Sequence, residues 1–340
     1  MSGSIKWAIL GTSFISGVMA DAIKAQGQST IYGVAGRNTT TLAEFATQYQ
    51  IPHQFTDFDA LINSPEVDVI YIALPNHLHH EYIIKAANAG KAILCEKSLS
   101  VDMPKTTESL DAVTQNKVFF LEGLMYLAHP FMQQLSTILA TGVIGEVKSI
   151  RGQYCAAISQ FVNPASLGAL FNLGCYPASL MQLVMQQQFG TEQSQQYQIE
   201  ATGRRGQDGN ICESTAIVSY SNGVQCHLHT AEDYGLHAGF TILGCLGSIE
   251  FTSNPWLPES QGNHFTVRLY EQEAEVIDVE AKGNGFYYQV EAVLNALETK
   301  QYTVPRPLVQ VSDSVDIMQM LTTWHKAALE SRAANHTTEC

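Results

Sequence analysis

Residues 5–17 read Ile5-Lys6-Trp7-Ala8-Ile9-Leu10-Gly11-Thr12-Ser13-Phe14-Ile15-Ser16-Gly17, an apolar run that stops at a glycine and passes into small hydroxyl residues. The run has the pattern of a strand buried on both faces, and Gly-Thr-Ser after it reads as a tight turn into a capped helix. Outward from this segment the alternation continues. Apolar runs at 30–35, 53–55, 67–74, 91–95 and 118–121 predict five further strands. Between them, Leu42, Phe45, Ala46 and Tyr49 lie at helical spacing over 40–49, residues 78–89 read similarly, and Thr56-Asp57 caps a short helix through Leu61 and Ile62. Strands alternating with helices predict βαβ units, hence an α/β doubly wound parallel sheet.

Past Phe120 the period changes. A helix begins near Pro130, Gly142 to Gly145 form a turn, and strands of alternating polarity follow at 147–156, 198–202, 214–220, 224–230, 239–243, 248–251 and 265–270, with Ser221-Asn222-Gly223 as one hairpin turn. The expected division is a dinucleotide-binding domain over 1–124 and an α+β domain with a large, open, mainly antiparallel sheet over 125–340. Terminal helices at 285–297 and 311–331 are expected to cover one face of that sheet. Its other face is left for a second copy, which predicts a homodimer.

Composition narrows the function classes. The 340 residues carry 18 Lys+Arg against 32 Asp+Glu, a formal charge of −14. Such a chain repels nucleic acid and anionic lipid, so neither is an expected partner. No apolar run reaches the length of a membrane span, and the first residues lack a signal-peptide pattern, so a cytoplasmic location is expected. The seven cysteines, Cys95, Cys155, Cys175, Cys212, Cys226, Cys245 and Cys340, contain no C-x-x-C pair and read as reduced, mostly packed thiols. His227 and His229 alternate on one strand but lack further ligands at metal spacing, and His77, His79 and His80 supply no metal pattern, so no metal is expected. There is no G-x-S-x-G elbow and no P-loop.

At the first turn a dinucleotide fold would show G-x-G-x-x-G, and only Gly11 is kept. Thr12, Ser13, Phe14 and Ile15 then form the start of a helix whose free N–H groups favour a pyrophosphate. The heptapeptide alone fits an ordinary capped helix equally well. Where an acidic residue would bind the adenosine ribose, at the end of the second strand, the chain has Gly36-Arg37-Asn38-Thr39-Thr40. Arg37 with these neighbours suits a 2′-phosphate, favouring NADP(H) over NAD(H), with NAD still possible.

Two more segments make the reading specific: Cys95-Glu96-Lys97-Ser98 after the fifth strand, and residues 168–177, Gly-Ala-Leu-Phe-Asn-Leu-Gly-Cys-Tyr-Pro, early in the second domain. With Ala73-Leu74-Pro75-Asn76-His77, Glu122-Gly123-Leu124-Met125-Tyr126 and Ile242-Leu243-Gly244-Cys245-Leu246-Gly247, they resemble the Gfo/Idh/MocA family of nicotinamide-dependent oxidoreductases, in the branch of dimeric dihydrodiol dehydrogenase and glucose-fructose oxidoreductase. The resemblance implies that Lys97 is the lysine of the family's Glu-Lys-Pro motif and Tyr176 the branch's catalytic tyrosine. Leu74, Asn76, His77 and Glu96 are then expected at the cofactor, and Asn172 and Tyr126 at the substrate. Three departures stand out: Ser98 replaces the proline, Asn172 stands where the branch carries an aspartate, and Leu127 where an arginine is common.

Moving a hydride off a carbinol carbon requires the hydroxyl proton to leave, so an acid/base must lie within hydrogen-bond reach. A tyrosine, whose free pKa is near 10, is drawn toward working pH by a neighbouring ammonium. Tyr176 is therefore expected as acid/base and Lys97 as its electrostatic partner, in a cleft between the domains. The expected reaction interconverts a secondary hydroxyl and a carbonyl on a sugar, polyol or cyclic diol. The alternative is a non-catalytic NAD(P)-binding sensor or structural protein of the same fold, which Asn172 and the reduced glycine turn would suit.

Overall fold

A computed structural model describes residues 4–331; Cys340 lies outside them. The chain divides into two compact units, one of 1–128 with 285–315 and one of 129–284 with 316–340.

In the first unit the opening run forms β1 (Ile5–Leu10), in which Trp7 to Leu10 are fully buried. It leads through α1 (Phe14–Gln26), β2 (Ser29–Ala35), α2 (Thr39–Gln48), β3 (His53–Phe55), α3 (Phe58–Ile62), β4 (Val69–Ile72), α4 (Asn76–Asn88), β5 (Ala92–Cys95), α5 (Met103–Asn116) and β6 (Phe120–Glu122). Short polar side chains start the helices, as the free N–H groups of a first turn require: Asn38 caps α2, Asp57 caps α3 and Asp102 caps α5. The six strands pair in parallel in the order β3-β2-β1-β4-β5-β6. Strand order reverses between β1 and β4, so the loops leaving them diverge and open a crevice at the carboxyl ends of the strands.

The second unit holds α6 (Pro130–Ala140), β7 (Val147–Ala156), a π-helical turn (Leu170–Gly174), α7 (Cys175–Phe189), α8 (Thr191–Ser194), β8 (Tyr197–Arg205), β9 (Ile211–Tyr220), β10 (Gln225–Ala231), β11 (Leu236–Gly244), β12 (Gly247–Phe251), β13 (Asn263–Leu269) and β14 (Glu275–Val279). Its eight strands run β14-β13-β12-β11-β7-β10-β9-β8. The sheet is mainly antiparallel, but β7 sits between β11 and β10 and pairs in parallel with β10. The order is not that of a simple meander, because β7 is enclosed by strands that come much later in the chain. Gly152 in β7 has no room for a side chain: a Cβ there would lie 2.9 Å from Pro177 Cβ and 3.0 Å from Phe240 Cδ2. That contact seats α7 on the sheet. Nearly all of α7 is buried, so it shows no polar stripe and no amphipathic signal in the sequence.

The terminal helices part company. From Asp316, α10 (Val311–Glu330) belongs to the second unit, where Trp324 Nε1 donates to Ser214 Oγ at 2.8 Å. By contrast α9 (Gly285–Thr299) belongs to the first unit, where Val290, Val293, Leu294 and Ala296 join the core of Trp7, Ile9, Met19 and Ile23. The expectation that both helices cover the antiparallel sheet, and the boundary drawn after residue 124, therefore differ from the structure. An apolar helix face is chosen by whichever uncovered surface it fits, which a helical period does not specify. Of the described cysteines, Cys95, Cys155, Cys175, Cys212 and Cys226 are buried and free, as mostly packed thiols should be, and Cys245 is free and exposed. Among the described residues no helix is long and apolar enough to cross a membrane.

Leu294→Ala should cost roughly 2–5 kcal/mol, as truncation of a buried leucine does. Hydrogen exchange would locate the loss: protection should fall in β1, β2 and α1 and stay unchanged in β7 to β13. Loss centred on the antiparallel sheet would refute the assignment of α9.

Candidate active site

Gly11 ends β1 with φ of +108°, and a Cβ there would lie 2.7 Å from the carbonyl oxygen of Ala73, so the loop after β4 can approach only a glycine. Ser13 caps α1, and Ser13 and Ser16 exchange reciprocal hydrogen bonds between side chain and backbone. The N–H groups of Phe14 and Ile15 lie in the first turn, where a helix offers no acceptor. Phe14 is 88% exposed. Such a helix start fits a pyrophosphate by N–H groups and dipole. After β2, Arg37, Asn38 and Thr39 are all exposed, but the Asn38 Oδ1 is occupied as the α2 cap by the N–H groups of Thr40 and Thr41 at 3.0 and 3.1 Å. No carboxylate follows β2 directly. Arg37 beside the α2 N-terminus fits a phosphate monoester.

Leu74 and Asn76 occupy the loop after β4 and the start of α4. His77 has a buried Nδ1 with no hydrogen-bond partner among the described residues. Burial lowers the His77 pKa, and the charges of Lys105, Arg37 and His80 lower it further. Positive potential thus gathers here in a chain of net negative charge. His79, which the sequence reading weighed only as a metal ligand, is fully buried between two loops. Its Nε2 lies 2.7 Å from the Leu74 carbonyl oxygen and its Nδ1 3.0 Å from that of Ser98. Burial pushes its pKa down to about 4 against the pull of those carbonyls.

Lys97 leaves β5 as the one residue between Ala92 and Val101 that is not buried. Its loop is held from several sides. Glu96 N–H donates to Ile72 O at 2.9 Å, the Glu96 carboxyl accepts from Tyr71 Oη at 2.6 Å, and Glu122 accepts from Leu99 N–H at 3.0 Å and from Ser314 Oγ at 2.6 Å. The Lys97–Ser98 peptide bond is cis. Burial raises the Glu96 pKa, and burial pushes that of Glu122 up to about 7. Tyr126 and Leu127, in a 3-10 turn at 125–128, are buried in the first unit.

In the second unit Asn172 and Tyr176 are four residues apart across the π-turn and α7, which puts them on one helical face. Tyr176 is 7% exposed, with its ring edge-on to Tyr154 at 5.1 Å and tilted against Trp256 at 6.1 Å. Asn172 Nδ2 donates to Glu232 Oε2 at 2.7 Å. Sequence reasoning had no signal for Glu232, 60 residues away. His229 binds Thr215 Oγ1 and Tyr234 Oη, at 2.8 and 2.9 Å. No group of three or more metal-ligating side chains is assembled among the described residues.

Glu122 yields a pH test. A carboxyl whose folded pKa exceeds its unfolded value stabilises the fold fully below the unfolded value, near 4.5, and loses that contribution as pH rises through about 7. Glu122→Gln keeps an acceptor for Leu99 N–H, turns its NH₂ toward Ser314 Oγ, which then accepts, and does not titrate. Urea melts should therefore show wild type losing stability relative to the variant between about pH 5 and 8, by at most about 3 kcal/mol. A flat difference would show that Glu122 does not titrate there.

Comparison with known proteins places this geometry. Residues 5–124 match the oxidoreductase family model with an NAD-binding Rossmann fold, and residues 132–250 match the GFO/IDH/MocA C-terminal domain. An uncharacterised oxidoreductase of Rhizobium meliloti is 29% identical over 261 residues, covering 75% of this chain and 76% of the relative. Trans-1,2-dihydrobenzene-1,2-diol dehydrogenase of Bos taurus is 24% identical over 326 residues, covering 93% and 95%. Among solved structures, a 3-ketoreductase from Actinomadura kijaniata in complex with NADP and TDP-benzene superposes with a TM-score of 0.83 at 20% identity, over 96% of this chain and 98% of that one. Levoglucosan dehydrogenase in complex with NADH and levoglucosan gives 0.79 at 19% identity, over 96% and 97%. The two structural likenesses are likenesses of fold. The two family models together span most of the chain, and with the parallel sheet and its glycine turn they identify it as an NAD(P)-binding oxidoreductase of the Gfo/Idh/MocA family.

Proposed function

We propose that this oxidoreductase interconverts a secondary hydroxyl and a carbonyl on a sugar, polyol or cyclic diol, using NADP(H), with Tyr176 as acid/base and Lys97 as its electrostatic partner. The observation that carries this reading is the Lys97 loop, clamped by Glu96, Glu122 and His79 so that the lysine alone is not buried. A structural lysine at a strand end needs no such support; one that must hold its position against a reacting hydroxyl does. The diol dehydrogenase relatives and the ketoreductase solved with NADP support the substrate class and the cofactor.

NADP(H) supplies or takes the hydride at the nicotinamide C4. Gly11, Thr12, Ser13, Phe14 and Ile15 would bind the pyrophosphate, and Arg37, Asn38 and Thr39 the adenosine 2′-phosphate. Leu74, Asn76, His77 and Glu96 would line the rest of the cofactor's path, and Tyr126 the substrate. During oxidation the Tyr176 phenolate oxygen accepts the hydroxyl proton; during reduction the phenol returns it to the forming alkoxide. The Lys97 ammonium stabilises the phenolate and the alkoxide. Asn172 hydrogen-bonds a substrate hydroxyl. The buried free thiols fit a reducing, cytoplasmic setting.

The outer face of the antiparallel sheet would be covered by a second copy. Ile217, 42% exposed, lies there opposite His227, and Arg151, His227 and Thr241 line a depression of about 520 Å³ on the same face. Light scattering should give twice the chain mass of 37.3 kDa, and a monomer would overturn the dimer.

A screen of sugars and diols with NADP+ tests the activity. Arg37→Ala should weaken NADPH about ten- to a hundredfold and leave NADH nearly unchanged, as loss of a charge-assisted contact predicts; equal losses refute the 2′-phosphate role. Tyr176→Phe should lower kcat about 10²- to 10⁴-fold with NADPH affinity kept. Tight NADPH binding with no turnover on any alcohol, and no effect of Tyr176→Phe, is the result a non-catalytic sensor gives.

A further inference from the structure

Trp256 is a fully buried side chain that the proposed proton path does not use, and it packs against the tyrosine that the path needs. It lies in the segment Asn254-Pro255-Trp256-Leu257-Pro258 between β12 and β13, where both prolines are also buried and Leu257 is exposed. Its main chain and its ring are both tied. The Trp256 N–H donates to Asn254 Oδ1 at 3.0 Å, and the indole Nε1 donates at 2.9 Å to the carbonyl oxygen of Gln153, the residue before Tyr154 on β7. Its ring centre lies 6.1 Å from that of Tyr176, 6.2 Å from that of Tyr154 and 5.9 Å from that of Phe240. Tyr154 and Tyr176 meet at 5.1 Å with their planes at 86°. Tyr154, Tyr176 and Trp256 thus close a triangle in which each ring packs against the other two.

The backbone under Tyr176 is placed by other means. Tyr176 is the second residue of α7, whose start has no side-chain cap, and the next residue, Pro177, packs on Gly152 of β7, where a Cβ would lie 2.9 Å away. That contact seats the helix but leaves the tyrosine torsions χ1 and χ2 with more than one well each. Only what the ring packs against or bonds to decides where it settles. Tyr154 does not compete with Tyr176 as acid/base, because burial pushes its pKa up to about 12 and it stays a neutral phenol. Trp256 has no surface open to a substrate, so its part is played through the rings beside it.

On the reading of Tyr176 as acid/base, on which this depends, we infer that Trp256 is a positioning residue: with Tyr154 it holds the Tyr176 ring so that the phenol oxygen keeps one place from which to pass the proton. Edge-on and tilted ring contacts are favourable only over a narrow range of separation and angle, so two of them at once restrain both torsions of the ring. A held oxygen spends its time in proton-transfer geometry, and a displacement of about 1 Å costs on the order of a hundredfold in rate.

The full chain labelled with tyrosine carrying ¹³C at both ε carbons reads the restraint without turnover. A ring that cannot flip gives two ε signals, and a ring that flips freely gives one. Tyr176, identified by its loss in Tyr176→Phe, should give two in wild type and in Trp256→Phe, and one in Trp256→Leu. Tyr154→Leu removes the other wall and should release the ring likewise, which keeps the test if Trp256→Leu does not fold. Kinetics then test the role. Trp256→Leu should lower kcat about ten- to a hundredfold for alcohol and ketone alike, with substrate KM and NADPH affinity within about twofold. Trp256→Phe, which keeps a ring at the contact, should restore kcat to within about threefold of wild type. Phe265→Leu, a loss in the same sheet whose ring pairs only with Phe131 and Phe251 among the described residues, should lower stability and leave kcat within about twofold. A single averaged Tyr176 signal in wild type, or two signals kept in both Trp256→Leu and Tyr154→Leu, overturns the restraint. A released ring with kcat unchanged, or a kcat loss that Phe265→Leu reproduces, overturns the role in catalysis while the proposed reaction stands. Two signals in a wild-type chain that turns over neither alcohol nor ketone remove the reaction itself, and the role of Trp256 falls with it.

Discussion

The hydrogen bonds that hold the loop after β5 are the constraint on which the rest of the first unit's chemistry depends. Glu122 accepts from Leu99 N–H, His79 lies against the Ser98 carbonyl, and Glu96 ties to Tyr71. Each partner is itself buried, so none can exchange its contact for water without leaving a polar group unsatisfied. The lysine between them keeps a long flexible stem, yet its backbone cannot move. In the reaction we propose, this would supply orientation before any ligand arrives and lower the entropic cost of bringing a charge to a reacting group.

Buried carboxyls recur on both units: Glu96 and Glu122 on the first, Glu232 on the second. Burial raises the pKa of each, because removal from water disfavours the charged form. The charge of Lys97 lowers Glu96 and Glu122 and a hydrogen bond from Asn172 lowers Glu232, without undoing the effect of burial. A strongly acidic chain can in this way hold carboxyls inside without a matching number of buried cations. Arg37 and Lys105, whose charges reach His77, and Lys97 after β5 are cations in a chain whose overall sign is negative, and at the loops we propose for the cofactor they would offset its repulsion of an anion.

The return of α9 to the first unit has a physical logic. A six-stranded parallel sheet needs cover on both faces, and the crossover helices alone leave apolar surface beside α1. Val290, Val293 and Leu294 complete that core from nearly 300 residues along the chain. The first unit is therefore discontinuous in sequence, and its stability depends on a segment that follows the whole antiparallel sheet.

Local features were readable from the amino acids. The glycine turn after Leu10, the cap at Asp57, the parallel strands and the Cys95–Ser98 segment depend on neighbours a few residues away, where backbone sterics and hydrogen-bond reach act directly. Period and spacing encode those interactions. Folding alone decided that β7 would enter the sheet beside β10, that α9 would leave the sheet for the first unit, and that His79, Glu122 and Glu232 would serve Ser98, Leu99 and Asn172. These partners are 19, 23 and 60 residues apart. At such separations the pairing is selected by the packing of the whole unit and by the cost of leaving a buried polar group unmet, and neither quantity belongs to any short stretch of chain.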